Sequence, residues 1–262
     1  MKKTTKKPII IAFVNNKGGS GKTTCCSNIG SSLSIDGKKT LLIDGDMQIN
    51  LTISFFDEEQ SAVFSSSGKN LFQAVVSRGS LDDCIVSTRY KGLDMIPSSY
   101  SLDKTFAEAV SDKDTVLSDI FARSEKIKEY DYVLIDCPPT LDGWVKNVLV
   151  ASDYALIPVE ASPWGLFGLA NMVEFCNNAK HDMKILGIAV TKADERKKYF
   201  KQTMQTLKEL EDITLFENFI HTDSAVEWSQ DNSEPVVFFK KSSRSALEYK
   251  KLAKEIVYYA DR

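Results

Sequence analysis

A glycine-rich segment between an apolar run and a run of helical period constrains the fold of this chain most strongly. The apolar run covers residues 9–14, and the segment that follows reads Lys17-Gly18-Gly19-Ser20-Gly21-Lys22-Thr23-Thr24. Glycines allow the backbone to turn so that successive N–H groups point inward, and the start of the next helix adds its positive end. The segment therefore predicts an anion-binding turn between a buried strand and a helix.

The residue types in this turn suit a nucleoside triphosphate. We expect the backbone of residues 17–24 to surround the phosphates and Lys22 to neutralise their charge. The Thr23 hydroxyl is the expected ligand of a Mg²⁺ ion. The strict sequence pattern for such turns has a glycine at position 16, where this chain has Asn16.

Apolar runs of strand length alternate with longer runs of helical period. The predicted strands cover residues 9–14, 40–44, 93–96, 132–136, 154–158, 185–191 and 215–220. The predicted helices cover residues 22–35, 71–77, 114–129, 167–178, 195–210 and 243–259. This order predicts an α/β fold with a doubly wound, mainly parallel sheet, because strands that are apolar throughout are usually buried on both faces. We expect one domain over residues 1–262, with the polar residues 57–69 as a surface loop.

Composition and charge exclude several classes of protein. With 262 residues and 43% apolar side chains, the chain can bury a full core, which excludes a disordered protein. The net charge of −3 excludes a global positive field that would attract nucleic acid or anionic lipid. No apolar run near the start is long enough to span a membrane, and the five cysteines lack metal-ligand spacing. We therefore expect a cytoplasmic protein, with residues 1–7 as a flexible basic tail.

Acidic side chains follow two of the predicted strands. Asp44 and Asp46 lie at and just beyond the end of the second strand, and Asp136 ends the fourth. Because the carboxyl ends of parallel strands line one crevice, we expect all three to converge on the glycine-rich turn. Asp44 and Asp136 are candidate metal ligands together with Thr23, and Asp46 is the candidate for orienting an attacking water. Helix capping stays open as an alternative role for Asp44 and Asp136.

Three ordered motifs resemble those of the ParA family of DNA-partitioning ATPases. They are residues 17–24, Asp44-Gly45-Asp46-Met47-Gln48-Ile49-Asn50 and Asp136-Cys137-Pro138-Pro139. The resemblance implies ATP and Mg²⁺ as ligands, and a homodimer in which Lys17 reaches the phosphates held by the second subunit. It implies catalytic roles for Lys17, Lys22 and Asp46. Met47 stands where the family has proline, which loosens the loop after Asp46.

The resemblance also implies non-specific DNA as a ligand and a ParB-like centromere-binding adaptor as the partner that stimulates hydrolysis. The candidate DNA contacts are five late basic residues: Lys240, Lys241, Arg244, Lys250 and Lys251. Basic runs are also typical of ordinary solvated surfaces, so the residues alone leave this interpretation open. Residues 220–226 lack the arginine with which chromosomal family members bind DNA, so the family's DNA contacts cannot be carried over to that segment.

The main alternative is a membrane-cycling positioning ATPase similar to MinD. Such proteins end in a basic amphipathic helix, whereas residues 254–262 mix acids with bases and have little apolar length, so we expect no stable membrane association. A scaffold for cargo other than DNA is a third possibility. Thr191-Lys192-Ala193-Asp194 resembles a guanine-reading motif and keeps GTP as an alternative nucleotide. The favoured prediction is a ParA-like partition ATPase, associated with the nucleoid, that moves plasmid or chromosomal DNA.

Overall fold

The computed structural model describes residues 7–100, 108–110, 113–180 and 182–262. The strands in these residues are β1 (Ile9–Phe13), β2 (Thr40–Asp44), β3 (Val86–Ser87), β4 (Leu93–Ile96), β5 (Tyr132–Asp136), β6 (Tyr154–Glu160) and β7 (Lys184–Thr191). They form one sheet in the order β3-β4-β2-β5-β1-β6-β7. Neighbouring strands pair in parallel, except that β3 runs antiparallel to β4 at the edge.

Helices cover both faces of this sheet. They are α1 (Lys22–Ile35), α2 (Asn50–Ile53), α3 (Glu58–Ser67), α4 (Leu71–Ser77), α5 (Val116–Arg123), α6 (Gly143–Ala151), α7 (Leu169–Ala179), α8 (Lys198–Lys208), α9 (Ser224–Asp231), α10 (Val236–Phe239) and α11 (Arg244–Ala260). Successive residues of β5 show the two-sided burial, since Val133 and Ile135 belong to one apolar cluster and Leu134 to the other. The predicted α/β fold with a doubly wound, mainly parallel sheet is therefore confirmed.

The sheet register gathers the acidic strand ends. Asp136 is the partner of Phe13 across the β1–β5 pair and of Asp44 across the β2–β5 pair. The glycine-rich turn starts just after β1, so both carboxylates lie at the edge of the sheet from which the turn departs. This register supplies the convergence that the sequence predicted for Asp44 and Asp136.

Three predicted elements are wrong or incomplete. Residues 57–69 are not a loop, because α3 forms there with a capping box: the Asp57 carboxylate accepts from the Gln60 N–H, and the Gln60 side chain accepts from the Asp57 N–H. Residues 215–220 run beside β7 but form one isolated bridge with it among the described residues, between Ile188 and Leu215. The helix predicted over 114–129 divides at Ser124, whose extended backbone separates α5 from a short 3₁₀ turn.

The predicted flexible tail lies mostly outside the described residues. Lys7, its last residue, pairs with Asp153 at 2.8 Å. No helix among the described residues is both long enough and apolar enough to cross a membrane. The single-domain organisation of residues 1–262 stays a prediction.

Candidate nucleotide-binding site

The glycine-rich turn has the backbone conformation that its glycines predict. Gly19 and Gly21 adopt positive φ angles of 73° and 91°, in the left-handed region that side chains disfavour. Gly21 caps the start of α1, and a Cβ atom there would come within 3.2 Å of the Thr191 side chain. Thr191 also donates a hydrogen bond of 2.8 Å to the Ser20 carbonyl oxygen. The end of β7 thus holds the turn against the start of the helix.

Lys22 points back into the turn. Its Nζ donates to the carbonyl oxygen of Lys17 at 3.2 Å, and its side chain is buried. Burial lowers the pKa of Lys22, and the nearby charges of Asp136, Cys137 and Asp46 oppose this effect. A phosphate group in the turn would supply the negative charge that this desolvated ammonium favours.

Thr23 and Asp136 form the oxygen pair that suits a magnesium ion. The Thr23 hydroxyl donates to Oδ2 of Asp136 at 2.6 Å. The second carboxylate oxygen of Asp136 is buried and has no hydrogen-bond partner among the described residues. Burial, followed by the charge of Asp44, raises the pKa of Asp136 well above its usual range. An unpartnered carboxylate oxygen beside a hydroxyl fits Mg²⁺, which binds proteins through one or two carboxylates and completes its shell with phosphates and water.

Asp44 has a different environment from the one predicted. Its Oδ2 accepts from the Thr52 N–H at 2.8 Å and from the Thr52 hydroxyl at 2.6 Å, while Oδ1 accepts from the Asp46 N–H at 3.2 Å. Burial raises its pKa to about 7. Because both oxygens bind protein donors, the geometry favours a structural role for Asp44, anchoring the loop that follows β2. Its predicted role as a metal ligand stays untested.

Asp46 lies on the wall of the candidate nucleotide cleft. Its Oδ1 accepts from the Gln48 N–H at 3.0 Å, and its carbonyl oxygen accepts from the Ser98 hydroxyl at 2.7 Å. These two bonds hold the loop after β2, and Asp46 lines the cleft together with the glycine-rich turn. This position is compatible with orienting a water molecule near bound phosphates.

The cleft has a volume of about 610 Å³. Residues 18–24 and Asp46 form one part of its wall, and residues 220–223 with Lys192 form another. The sequence predicted the first part but not the contribution of residues 220–223. The only signal for the second part was the motif at residues 191–194, which lies close to it in space.

The guanine-type motif is only partly at the cleft. Thr191 and Lys192 line it, but Asp194 does not. The Asp194 carboxylate instead binds the Arg196 guanidinium with two hydrogen bonds of 2.8 and 2.9 Å, which lowers its pKa to about 2. A guanine-reading aspartate must face the base, so this geometry disfavours GTP.

Lys17 points in another direction from Lys22. Its Nζ lies 3.0 Å from Oε2 of Glu160 and 3.3 Å from the hydroxyl of Ser162, just beyond β6. Lys17 does not line the cleft of its own turn. The two lysines of the motif therefore face different surroundings within one protomer.

The five candidate DNA contacts divide into two groups. Lys240, Lys241 and Lys251 are exposed, and Lys240 lies over the ring of Trp228 at 5.7 Å. Lys250 is partly exposed. Arg244 is instead an ion-pair partner, because its Nε donates to Glu248 at 2.8 Å and its guanidinium contacts His221. The five residues therefore differ in their surroundings, and their predicted role as DNA contacts stays a prediction.

The fold and the site together define a class. A parallel sheet whose first strand leads through a phosphate-binding turn into a helix, with a buried carboxylate on the neighbouring strand, is a P-loop nucleotide-binding protein. The AAA_31 family model, described as an AAA domain, matches residues 8–188. The sporulation initiation inhibitor protein Soj of Bacillus subtilis is 31% identical over 258 residues, which cover 94% of this chain and 97% of Soj. The chain belongs to the ParA family of partition ATPases, as the three motifs predicted.

Solved structures agree with this assignment. A plasmid partition protein from Borrelia burgdorferi, bound to AMPPNP, has a TM-score of 0.80 and 25% identity, covering 96% of this chain and 99% of its own. The septum site-determining protein MinD from Pyrococcus horikoshii, complexed with Mg-ADP, has a TM-score of 0.74 and 24% identity over 95% of this chain and 96% of its own. The second likeness concerns the fold alone.

Proposed function

We propose that this protein is an ATPase that switches between a monomer and a DNA-binding homodimer. ATP and Mg²⁺ hold two protomers together, the dimer binds DNA without sequence preference, and hydrolysis stimulated by a ParB-like adaptor releases it. The moving cargo is plasmid or chromosomal DNA on the nucleoid. Similarity to Soj and to the Borrelia plasmid partition protein supports this proposal.

The observation that carries the proposal is the divergence of the two lysines in the turn. Lys22 faces the turn itself, whereas the Lys17 ammonium lies beside Glu160, outside the cleft. A lysine that only neutralised phosphates in its own protomer would face its own cleft. The outward position of Lys17 fits a cation that serves the nucleotide of a second subunit.

Hydrolysis then depends on positioning and electrostatics rather than on covalent chemistry. Lys22 and the N–H groups of the turn stabilise negative charge on the phosphates. Thr23 and Asp136 would hold a Mg²⁺ ion, which would offset the charge of the phosphate oxygens. Asp46 orients the attacking water from the wall of the cleft. An adaptor that tightened this arrangement would speed a slow basal reaction.

Two single substitutions test the roles of the lysines. Lys22→Ala should abolish nucleotide binding, measured by fluorescence titration with a labelled ATP analogue. Lys17→Ala should bind nucleotide within a few-fold of wild type but stay monomeric in sedimentation velocity with a slowly hydrolysed analogue and Mg²⁺. Lys39→Ala is the matched control, because Lys39 also pairs with a glutamate, Glu129 at 2.7 Å. Normal ATP-dependent dimers from Lys17→Ala would refute the cross-subunit role.

DNA binding by the exposed lysines would be an electrostatic contact with phosphates. Such contacts carry no sequence information and weaken steeply with salt. Lys240, Lys241 and Lys251 are exposed and can offer this charge to a ligand, although Lys240 also lies near the charge of Asp223, whereas the Arg244 charge is shared with Glu248. We therefore place the DNA surface mainly on these lysines and on Lys250.

Charge reversal tests whether DNA binding depends on these lysines or only on the total charge of the protein. Replacing Lys241 and Lys251 together with glutamate should weaken ATP-dependent DNA retention and reduce its salt slope. Lys184→Glu is the control, because Lys184 is an exposed lysine at the first residue of β7, outside the late basic segment. Equal losses from the control and the double variant would contradict a local DNA surface. Parallel co-sedimentation with liposomes tests the membrane-cycling alternative.

A further inference from the structure

Two exposed aromatic side chains stand close together after β6. Trp164 is 72% exposed and Phe167 is 79% exposed, the highest values among the large hydrophobic side chains that the structure describes. The Phe167 N–H donates to the Trp164 carbonyl oxygen at 3.1 Å, so both belong to one turn. Large apolar groups grouped on a surface in this way usually mark an interaction site.

The turn is pressed against the start of the phosphate-binding segment. Gly168 has a φ of +81°, and a Cβ atom there would lie 2.7 Å from the Asn16 side chain. At Gly165 a Cβ atom would lie 1.8 Å from the Glu160 carbonyl oxygen. No side chain fits at either glycine, which allows the turn to pack closely on both neighbours.

This packing places the aromatic pair beside Lys17. Trp164 and Phe167 line, with Asn16 and Lys17, a surface cavity of about 410 Å³ that is separate from the nucleotide cleft. The Lys17 ammonium is held on the adjoining side by Glu160 at 3.0 Å. The aromatic surface is thus continuous with the lysine for which the proposed function requires a second subunit.

We propose that Trp164 and Phe167 are the apolar contact that a second copy of this chain covers when the ATP-bound dimer forms. This inference rests on the proposed function and names the surface that its dimer uses. A twofold interface uses the same patch of both protomers, so the aromatic pairs of both, four rings in all, would lie within it. A fully covered aromatic side chain buries about 150–250 Å². Four of them supply a large share of the roughly 1,600 Å² of a standard interface.

The surrounding charges favour a second copy over a lipid surface. An aromatic pair that enters a membrane interface is typically flanked by basic side chains that contact anionic lipid. Here the flanking cation is Lys17, which pairs with Glu160. A partly neutralised, self-complementary patch suits a protein surface of the same composition.

The test compares dimerisation and nucleotide binding in one set of variants. Replacing Trp164 and Phe167 together with serine should weaken the ATP-dependent dimer by at least about 30-fold, the loss typical of central aromatic contacts. Binding of a labelled ATP analogue to the monomer should stay within about 2-fold, which also shows that the variant is folded. Tyr258→Ser is the matched control, because Tyr258 is 52% exposed near the end of α11. Sedimentation equilibrium with a slowly hydrolysed analogue and Mg²⁺ gives the dissociation constant of each variant's dimer.

Tryptophan fluorescence supplies an independent readout. The chain has three tryptophans, of which Trp144 is buried and Trp228 is 56% exposed. Covering Trp164, the most exposed of the three, should shift the emission to shorter wavelength when ATP drives dimerisation. Trp164→Phe keeps an aromatic ring, and this variant should dimerise without that shift. A shift of equal size in Trp164→Phe would overturn the inference.

The outcomes separate this inference from the proposed function. If the wild-type chain stays monomeric with ATP and Mg²⁺, the proposed function fails, and the inference fails with it. If the wild type dimerises and the double serine variant dimerises equally well, the inference alone is overturned. If that variant dimerises normally but loses binding to vesicles of anionic phospholipid, the surface contacts membrane, which also overturns the inference.

Discussion

Replacing Asp136 with asparagine should separate the stability of the apoprotein from its affinity for magnesium and nucleotide. The Asp136 carboxylate is fully buried at the end of β5, where one oxygen accepts from Thr23 at 2.6 Å. The other oxygen has no partner among the described residues, and burial together with the charge of Asp44 raises the pKa of Asp136. Asparagine keeps the shape of the side chain and an acceptor for Thr23 but removes the charge.

The expected gain in the free energy of unfolding comes from removing a buried charge that lacks a full set of hydrogen bonds. Such a group costs about 1–3 kcal/mol. We expect Asp136→Asn to raise the free energy of unfolding without nucleotide by about this amount at high pH. With a urea m-value of about 3 kcal/mol/M, this corresponds to an increase in the midpoint of about 0.3–1 M. The same variant should lose the Mg²⁺-dependent part of its nucleotide affinity, since the amide oxygen carries no charge.

The pH dependence of the free energy of unfolding is a second test of whether the Asp136 charge destabilises the folded protein. A carboxyl group whose pKa is raised in the folded state binds protons more tightly there than in the unfolded chain. Its contribution to stability is therefore lost as pH rises through the folded pKa. The stability advantage of Asp136→Asn should accordingly be larger at about pH 9 than at about pH 6.

Urea unfolding at both pH values and nucleotide titration with and without Mg²⁺ are the measurements. Asp119→Asn is the control, because Asp119 is exposed and pairs with Lys113 at 2.6 Å. Its pKa is lowered by that hydrogen bond, so its effect should not vary between the two pH values. A destabilised Asp136→Asn variant with unchanged magnesium dependence would refute the reasoning.

Three further predictions concern the other carboxylates. Asp46→Ala should bind ATP but turn it over about 100-fold more slowly or worse, as measured by phosphate release; full turnover would remove Asp46 from the reaction. Glu160→Gln should release Lys17 from an ion pair worth about 0.5–1 kcal/mol in each protomer. The association constant of the ATP-bound dimer, measured by sedimentation, should therefore rise about 5- to 30-fold. A weaker dimer would mean that Glu160 itself contacts the partner. Burial raises the pKa of Asp44 to about 7, whereas an unfolded aspartate titrates near 3.9, so wild-type unfolding free energy should fall from about pH 5 to about pH 8. A rise over that range in urea titrations would contradict the assigned environment of Asp44.

Several elements follow the sequence closely because short-range patterns specify them. The predicted bounds of β2, β4, β5, α1 and α4 match the structure residue for residue. In each of these elements the apolar period and its end signals lie within one local stretch of chain. The sequence did not predict helix α3, because its residues are mostly polar and show little apolar period. The capping box at its start stabilises the helix all the same.

The sequence by itself determined the phosphate-binding turn, the parallel α/β order and the acidic strand ends, because each depends on neighbouring residues and on strand direction. Only the tertiary structure decided how those groups are used. It placed Lys17 on Glu160, 143 positions away, turned the Asp44 carboxylate to Thr52, and joined Arg244 to His221 and Glu248. Lys17 and Glu160, like Arg244 and His221, are distant along the chain and meet only when the packing of the sheet and helices sets the distances between them. Thr52 and Glu248 are nearer in sequence to their partners, but the same packing orients these side chains.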